Sequence, residues 1–407
     1  MRLHPFHALR PPADLAGAVA SVPYDVVNRE EAAALAAGNP HSFLHVGRPD
    51  IDLPADTDPY DDRVYAQGRL ALDAFVRAGT LQRDAAPALY LYRLDMDGRS
   101  QVGVVGCVHV DDYEHDLIRK HEKTRKDKED DRTRHVLTLS AHAEPVFLAY
   151  RPVPAIDGLV ARAMQAPPLY DFTAPDGVRH VLWRLADTAG LVEAFGAVPV
   201  MYVADGHHRS ASAWRAGLAR KAEHPLHTGE EEYNWFLAVI FPSDQLRILP
   251  YNRVVKDLHG LSPAAFRERL AALGTLERTA TPSPERAGSF GVFVDGAWWR
   301  LTLDPAGIDG SDPIRSLDVS LLQDRVLAPI LGVGDPRTDK RIDFVGGIRG
   351  TAELERRVRS GEMAVAFAMH PTSMDQLLAV SDAGEIMPPK STWFEPKLRS
   401  GLVVHEF

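Results

Sequence analysis

The chain has 407 residues, 45% of them hydrophobic and 25% charged, with a formal net charge of −10. That is an ordinary composition for a soluble globular protein, long enough for two domains, and it excludes disorder as the default. The acidic balance argues against nucleic acid as the main partner, and a single cysteine, Cys107, rules out an internal disulfide framework and a cysteine-based zinc site.

No apolar run reaches membrane-spanning length, and the first residues, Met1-Arg-Leu-His-Pro-Phe-His, lack the apolar core of a signal peptide. A cytoplasmic protein with no membrane partner is expected. A homo-oligomer is compatible with this composition.

Residues 1–30 read as extended and loop-like, with Pro23-Tyr-Asp-Val-Val inside them. A helix should start after Asn28, which has capping-box spacing to Glu31 and is followed by helix-forming alanines. Residues 39–50 read as a strand flanked by turns, and residues 60–78 as a helix with one apolar face. Ala88 to Leu94 and Gln101 to Val110, separated by Asp95-Met-Asp-Gly, predict a hairpin.

The most charged segment runs from Asp111 to Arg134, and helix is expected from Lys123 to Leu139. Asp127, Glu129, Asp130 and Asp131 in it could ligate a metal, although a solvated face with i, i+4 pairs explains them more simply. Strands are expected at 144–150, 178–185 and 198–204, with helices near 155–165 and 187–195. Residues 234–241 and 246–255 read as another strand pair.

A domain boundary is expected at residue 255. Beyond it the sequence predicts a helix (264–273), a hairpin turning at Asp295-Gly296, a helix (317–327), a strand (341–344), a helix (352–358), a strand (363–369) and a helix from Ser373. Strands and helices mix without strict alternation, which predicts an α+β protein with a mixed sheet: residues 1–255 as one region and 256–407 as a second.

The chemistry concentrates at Asp205-Gly-His-His-Arg-Ser, behind the apolar strand Val198 to Ala204. Gly206 allows a hard turn, and the helix that follows opens with amides that have no intrahelical acceptor, a ready anion site. Arg209 offers a planar fork for oxygens, His207 and His208 supply proton carriers, and Ser210 adds a hydroxyl. Asp205 is the candidate base or Mg²⁺ ligand, with helix N-cap as its structural alternative. The proline-rich end, Met387-Pro-Pro-Lys-Ser-Thr-Trp-Phe-Glu-Pro-Lys, cannot be helix or central strand. Its aromatics want burial, so it reads as an ordered loop presenting Lys390, Ser391 and Thr392, with Lys397 behind them.

Together with Asn39-Pro, Arg119-x-His-Glu-x-Thr and Arg341-Ile-Asp-Phe-Val-Gly-Gly, these stretches resemble the bacterial and archaeal family called domain of unknown function 1015, over nearly the whole chain. Asp205-Gly-His-His-Arg is also similar to the phosphate-contacting motif of the ParB/sulfiredoxin superfamily, which includes free-serine kinases and CTP-binding partition proteins. The likeness implies a ParB/sulfiredoxin-like core with nucleotide phosphates at Gly206 to Arg209.

The resulting expectation is a small-molecule phosphotransferase using ATP or ADP with Mg²⁺, free serine being one acceptor. Asp205, His207, His208 and Glu122 carry catalysis. Gly206, Arg209, Ser210, Lys390, Ser391, Thr392, Lys397, Arg119 and Thr124 contact the nucleotide. The alternatives are a non-catalytic nucleotide- or metabolite-binding regulator and a metal-dependent hydrolase or phosphatase. No His-Glu-x-x-His signature supports the last.

Overall fold

The computed structural model describes residues 1–407. Two compact units divide the chain, Met1–Leu246 with Pro396–Phe407, and Arg247–Glu395. Against the expected boundary at 255, the division falls nine residues earlier, and the last twelve residues belong with the first unit. The reason is pairing. Trp235–Pro242 and Tyr251–Val255, read from the sequence as partners, instead pair with strands of two separate sheets.

The fold is α+β. In the first unit we label the main strands β1 (Leu3–His4), β2 (Leu89–Met96), β3 (Arg99–His109), β4 (Ile118–Arg119), β5 (Val146–Tyr150), β6 (Tyr170–Thr173), β7 (Arg179–Leu185), β8 (Met201–Asp205) and β9 (Trp235–Pro242). They form one mixed sheet in the order β4-β8-β5-β9-β3-β2-β7-β6, with β1 against β3. Pairing is parallel for β4–β8 and β5–β9 and antiparallel elsewhere. The β2–β3 hairpin closes at Asp97-Gly98, both at positive φ (51° and 72°), the geometry a two-residue loop requires to match strand twist.

Four helices matter to the site: α1 (Arg29–Ala36), α2 (Asp62–Arg77), α3 (Lys126–Leu139) and α4 (His207–Glu223). The capping box at α1 is present in both directions, Asn28 Oδ1 accepting from Glu31 N and Glu31 Oε2 from Asn28 N, each at 2.9 Å. Residues 39–50 are not a strand. They form a short helix, Leu44–Gly47, and a 3-10 turn, Pro49–Asp52. A short apolar run between turns carries no decisive period, and here Phe43 and Val46 bury on one helical face.

The α4 helix lies close to the sheet because its inner face is small: Ala211, Ala213, Ala216 and Gly217 are buried. A Cβ on Gly217 would stand 2.9 Å from the Tyr233 carbonyl oxygen. The core beneath it gathers Leu89, Leu91, Val104, Val146, Leu148, Val203, Phe236 and Ile240 from alternating positions of neighbouring strands.

The second unit holds a six-stranded antiparallel sheet of Tyr251–Val255, Gly274–Arg278, Ser289–Val294, Ala297–Leu303, Ile342–Gly346 and Val365–Ala368. The helix expected at 317–327 is α-helical only over Asp318–Leu322 and continues as a π-helical turn over Gln323–Leu327. Gly346 and Gly347 are explained by packing. Added Cβ atoms would stand 3.0 Å from the Trp393 ring and 2.7 Å from Pro250.

The end of the chain runs across the first unit as a strap. Ser400 bridges Ser21, Val404 bridges Leu9, and His405 pairs with His142. Gly401 sits in the left-handed region at φ 88°, and a Cβ there would fall 2.6 Å from Phe43 Cγ. Gly401→Ala is therefore expected to cost about 2–4 kcal/mol, strain and overpacking together, in a urea unfolding series. Gly384→Ala, with φ 68° but open space around its Cβ, should cost only about 1–2 kcal/mol. Equal losses would show that the Phe43 contact contributes nothing.

Candidate functional site

The site is built where β8 ends. The strand lies between β4 and β5, and its register to β5 shifts between Val203 and Asp205, a bulge that re-aims the last residue. Gly206 follows at φ 93°, ψ 35°, and α4 starts at once. Two features hold glycine there. The left-handed backbone disfavours a side chain, and a Cβ would meet the Arg209 guanidinium at 3.1 Å.

Asp205 is not the N-cap of α4. Its Oδ1 accepts from the next amide, Gly206 N, at 2.9 Å, and no side chain caps the helix. The first bond inside the helix is Ser210 N to Gly206 O. The amides of the first turn therefore keep their anion-binding capacity.

Asp205 Oδ2 faces two cations. Lys397 Nζ, arriving on the strap, donates at 3.1 Å, and Arg209 Nη2 stands at 3.7 Å. Burial by itself would raise the Asp205 carboxyl. Lys397 and Arg209 outweigh it and hold the group well below the ordinary carboxylate range.

The fork expected of Arg209 is drawn inward, with Nε and Nη2 buried and without a hydrogen-bond partner. Its side chain is only 7% exposed. Nη1 donates to Pro145 O at 2.5 Å, and Nη2 stands 3.7 Å from Asp25 as well as from Asp205. The guanidinium lies against Gly206 and ties three chain segments together instead of meeting solvent. Ser210 is likewise spent: it is fully buried, and its hydroxyl donates to Gly206 O at 3.1 Å. Hydroxyls this close to a helix carbonyl bond their own backbone.

The two histidines separate. His207 is buried and packs edge-to-face on His121, ring centroids 4.4 Å apart, with Nδ1 3.9 Å from Glu122 Oε2. Burial pushes the His207 imidazole well below its usual value and takes His121 down to about 4. Both are neutral at pH 7. His207 Nε2 is buried with no hydrogen-bond partner. His208 is half-buried, and its Nε2 accepts from Arg125 N at 3.0 Å.

The other expected residues fall at different distances from this centre. Arg119 lies on β4, in register with Tyr202 of the neighbouring β8. Thr124 donates a short hydrogen bond to Glu129, which fixes that carboxylate over Arg215. Lys390, Ser391 and Thr392 belong to the second unit. There Lys390 has φ 57° and its ammonium stands 5.4 Å from the Tyr251 ring centre, while the Ser391 hydroxyl donates to Pro388 O at 2.6 Å.

The donor set does not fit a resident divalent cation. No group of three His, Cys, Asp or Glu side chains is gathered to hold one, and a cation at Asp205 would meet two protein cations already there. The acidic run Asp127 to Asp131 is engaged elsewhere. Asp127 pairs with Arg125, Glu129 and Asp130 with Arg215, and Asp131 with Arg132.

Sequence reasoning missed the support beneath Arg209. Glu144 accepts from Tyr24 N at 3.1 Å and Ser400 Oγ at 3.4 Å. Arg132 lies 4.2 Å above the Tyr24 ring and donates to Asp131 at 2.9 Å. Burial raises the Glu144 carboxyl against the pull of Arg209 and Arg132. No local pattern marks these residues, because their partners lie far away along the chain.

The chain belongs to the family described as Protein of unknown function (DUF1015), whose model matches residues 3–320. Among solved structures it is similar to a free serine kinase in complex with AMP, at 14% identity and a TM-score of 0.36, covering 73% of this chain and 91% of that one. It is also similar to a conserved hypothetical protein from Pyrococcus furiosus (15%, TM-score 0.34, 73% and 93%). A third similar structure is SbnI with a C-terminal truncation from Staphylococcus aureus (14%, TM-score 0.37, 73% and 85%). No curated protein matches the sequence. No helix is long and apolar enough to cross a membrane.

The Asp205–Lys397 contact yields a pH prediction. A carboxyl held low in the folded state contributes stability that is present above its unfolded value, about 3.9, and is lost as pH falls through the folded one. Removing the ammonium in Lys397→Met leaves burial, which acts the other way. The acid limb of the stability curve should move to higher pH, with a loss of about 1–3 kcal/mol at pH 7. An unshifted acid limb in urea melts across pH 2–7 would mean that Lys397 does not offset the buried charge.

Proposed function

We propose that the first unit binds the phosphate of a nucleotide at the first turn of α4 and transfers a phosphoryl group to or from a small hydroxyl-bearing molecule. The observation that carries this reading is the uncapped amide turn after left-handed Gly206, with the Lys397 ammonium held beside it by Asp205. Amides and ammonium supply fixed positive potential where phosphate oxygens would lie, the main requirement of phosphoryl transfer.

The roles then divide by chemistry. Asp205 orients Lys397. A carboxylate held low by two cations is a weak base, so Asp205 is not the proton acceptor. Glu122, with a side chain 43% exposed and 3.9 Å from His207, is the proton acceptor we assign. His208, whose Nε2 already accepts from Arg125 N, has only its other nitrogen left to donate to an oxygen. Arg209 acts behind the site by holding Gly206 and Asp205. ATP and ADP are the donors to test, and free serine is the first acceptor, since the motif's resemblance to free-serine kinases points there. Localisation in the cytoplasm belongs to the same proposal.

Thermal shift with ATP and ADP, with and without Mg²⁺, tests binding through mass action on the folded state. Lys397→Met and Asp205→Asn should each weaken nucleotide binding about tenfold or more, the weight of one charged contact. Glu122→Gln should leave binding within about threefold and lower turnover to phosphoserine by about 10²–10⁴. Nucleotide binding without turnover on any hydroxyl acceptor would instead establish a regulatory nucleotide-binding protein. A flat melting temperature with every nucleotide removes both readings.

A further inference from the structure

A cavity of about 420 Å³ opens in the first unit, at the other end of α4 from the Gly206 turn. It lies between the C-terminal half of that helix (Gly217, Leu218, Lys221), the end of β3 with the residues after it (His109, Val110, Asp111), and the loop 227–235. Its size is that of a small-metabolite site.

Most polar groups in its wall already have partners. Arg2 binds Asp112 Oδ1 through Nε (2.8 Å) and Nη2 (2.5 Å) and faces Asp111 at 3.6 Å. His109 Nδ1 accepts from Asp111 N at 3.1 Å. His227 Nδ1 meets Tyr233 Oη at 2.8 Å and Glu231 at 2.9 Å. Asn234 Nδ2 donates to Glu231 O at 3.0 Å.

Two charged groups are left over. Lys221 and Glu230, of opposite charge, line the same cavity without pairing with each other or with any other side chain. The Trp235 ring in the wall is fixed by His4 stacked at 4.6 Å and His109 edge-on at 4.7 Å. Val110 and Leu218 add an apolar patch to the wall.

From this remainder we infer that the cavity is a binding site for a free zwitterionic α-amino acid with an apolar side chain. Its carboxylate takes the Lys221 ammonium, its ammonium takes Glu230, and its side chain lies on Val110 and Leu218. The site is separate from the Asp205 centre, though one helix forms part of both: its first turn there, its last turns here.

Calorimetric titration of the full chain with three probes tests this. L-Leucine carries both charges, 4-methylpentanoate lacks the ammonium, and leucinamide lacks the carboxylate. L-Leucine should bind, and each probe missing one charge should bind about three- to fivefold more weakly, the upper worth of one exposed ion pair. Lys221→Ala should erase the advantage of L-leucine over leucinamide, and Glu230→Ala its advantage over 4-methylpentanoate. Both charge variants lie on the exposed rim and leave the core intact. Three outcomes overturn the inference: no heat from L-leucine at millimolar concentration, equal binding of the three probes, or binding lost in Asp205→Asn but kept in Lys221→Ala. None of them depends on whether a nucleotide binds at the Gly206 turn.

Discussion

A half-buried carboxylate facing two cations governs this molecule. Asp205 ends β8, Arg209 comes one helical turn later, and Lys397 arrives from 192 residues further along the chain. Burying any one of these charges alone would cost several kcal/mol. Together they offset one another, and the offset specifies geometry: the strand must stop, Gly206 must turn left-handed, and the strap must cross the unit to deliver its lysine. The uncapped first turn of α4 is a by-product of that arrangement, because Asp205 is engaged with Lys397 and its own neighbouring amide and is not free to cap the helix.

Arg209 shows how a residue that looks like a ligand contact can be a structural tie. Its planar fork suits oxygens, and the oxygens it finds are those of Pro145, Asp25 and Asp205. One side chain thus links the N-terminal Pro23-Tyr-Asp segment, the entrance of β5 and the end of β8. Behind it Glu144, Tyr24 and Arg132 form a second layer of buried charge. At the turn itself the uncapped backbone amides and the Lys397 ammonium remain.

The α4 helix carries the Asp205 centre at its first turn and the open volume at its last turns. Its small inner face, Ala211 to Gly217, lets it lie close on the sheet between them. The Asp205 end is engaged by charge. The Lys221 end leaves one cation and one anion unspent around an open volume.

Local signals were enough for what depends on local physics. The capping box at Asn28, the two hairpins closed by Asp-Gly, the β8–Gly206–α4 junction and most strands and helices follow from period, propensity and turn chemistry within a few residues. So does the concentration of chemistry at Asp205 to Arg209. Residues 39–50 escaped because a short apolar run reads equally as strand or helix until Phe43 and Val46 find their packing partners. The unit boundary escaped because Trp235–Pro242 and Tyr251–Val255 are adjacent in sequence yet pair into different sheets. Only the folded chain could decide that Arg209 and Ser210 turn inward, that Lys397 neutralises Asp205, and that Asp25 and Glu144 stand behind the turn. Apart from the local Ser210 bond, each of those facts is a contact between residues distant in sequence, fixed by desolvation and charge offset, and neither leaves a period or a motif for a linear reading to find.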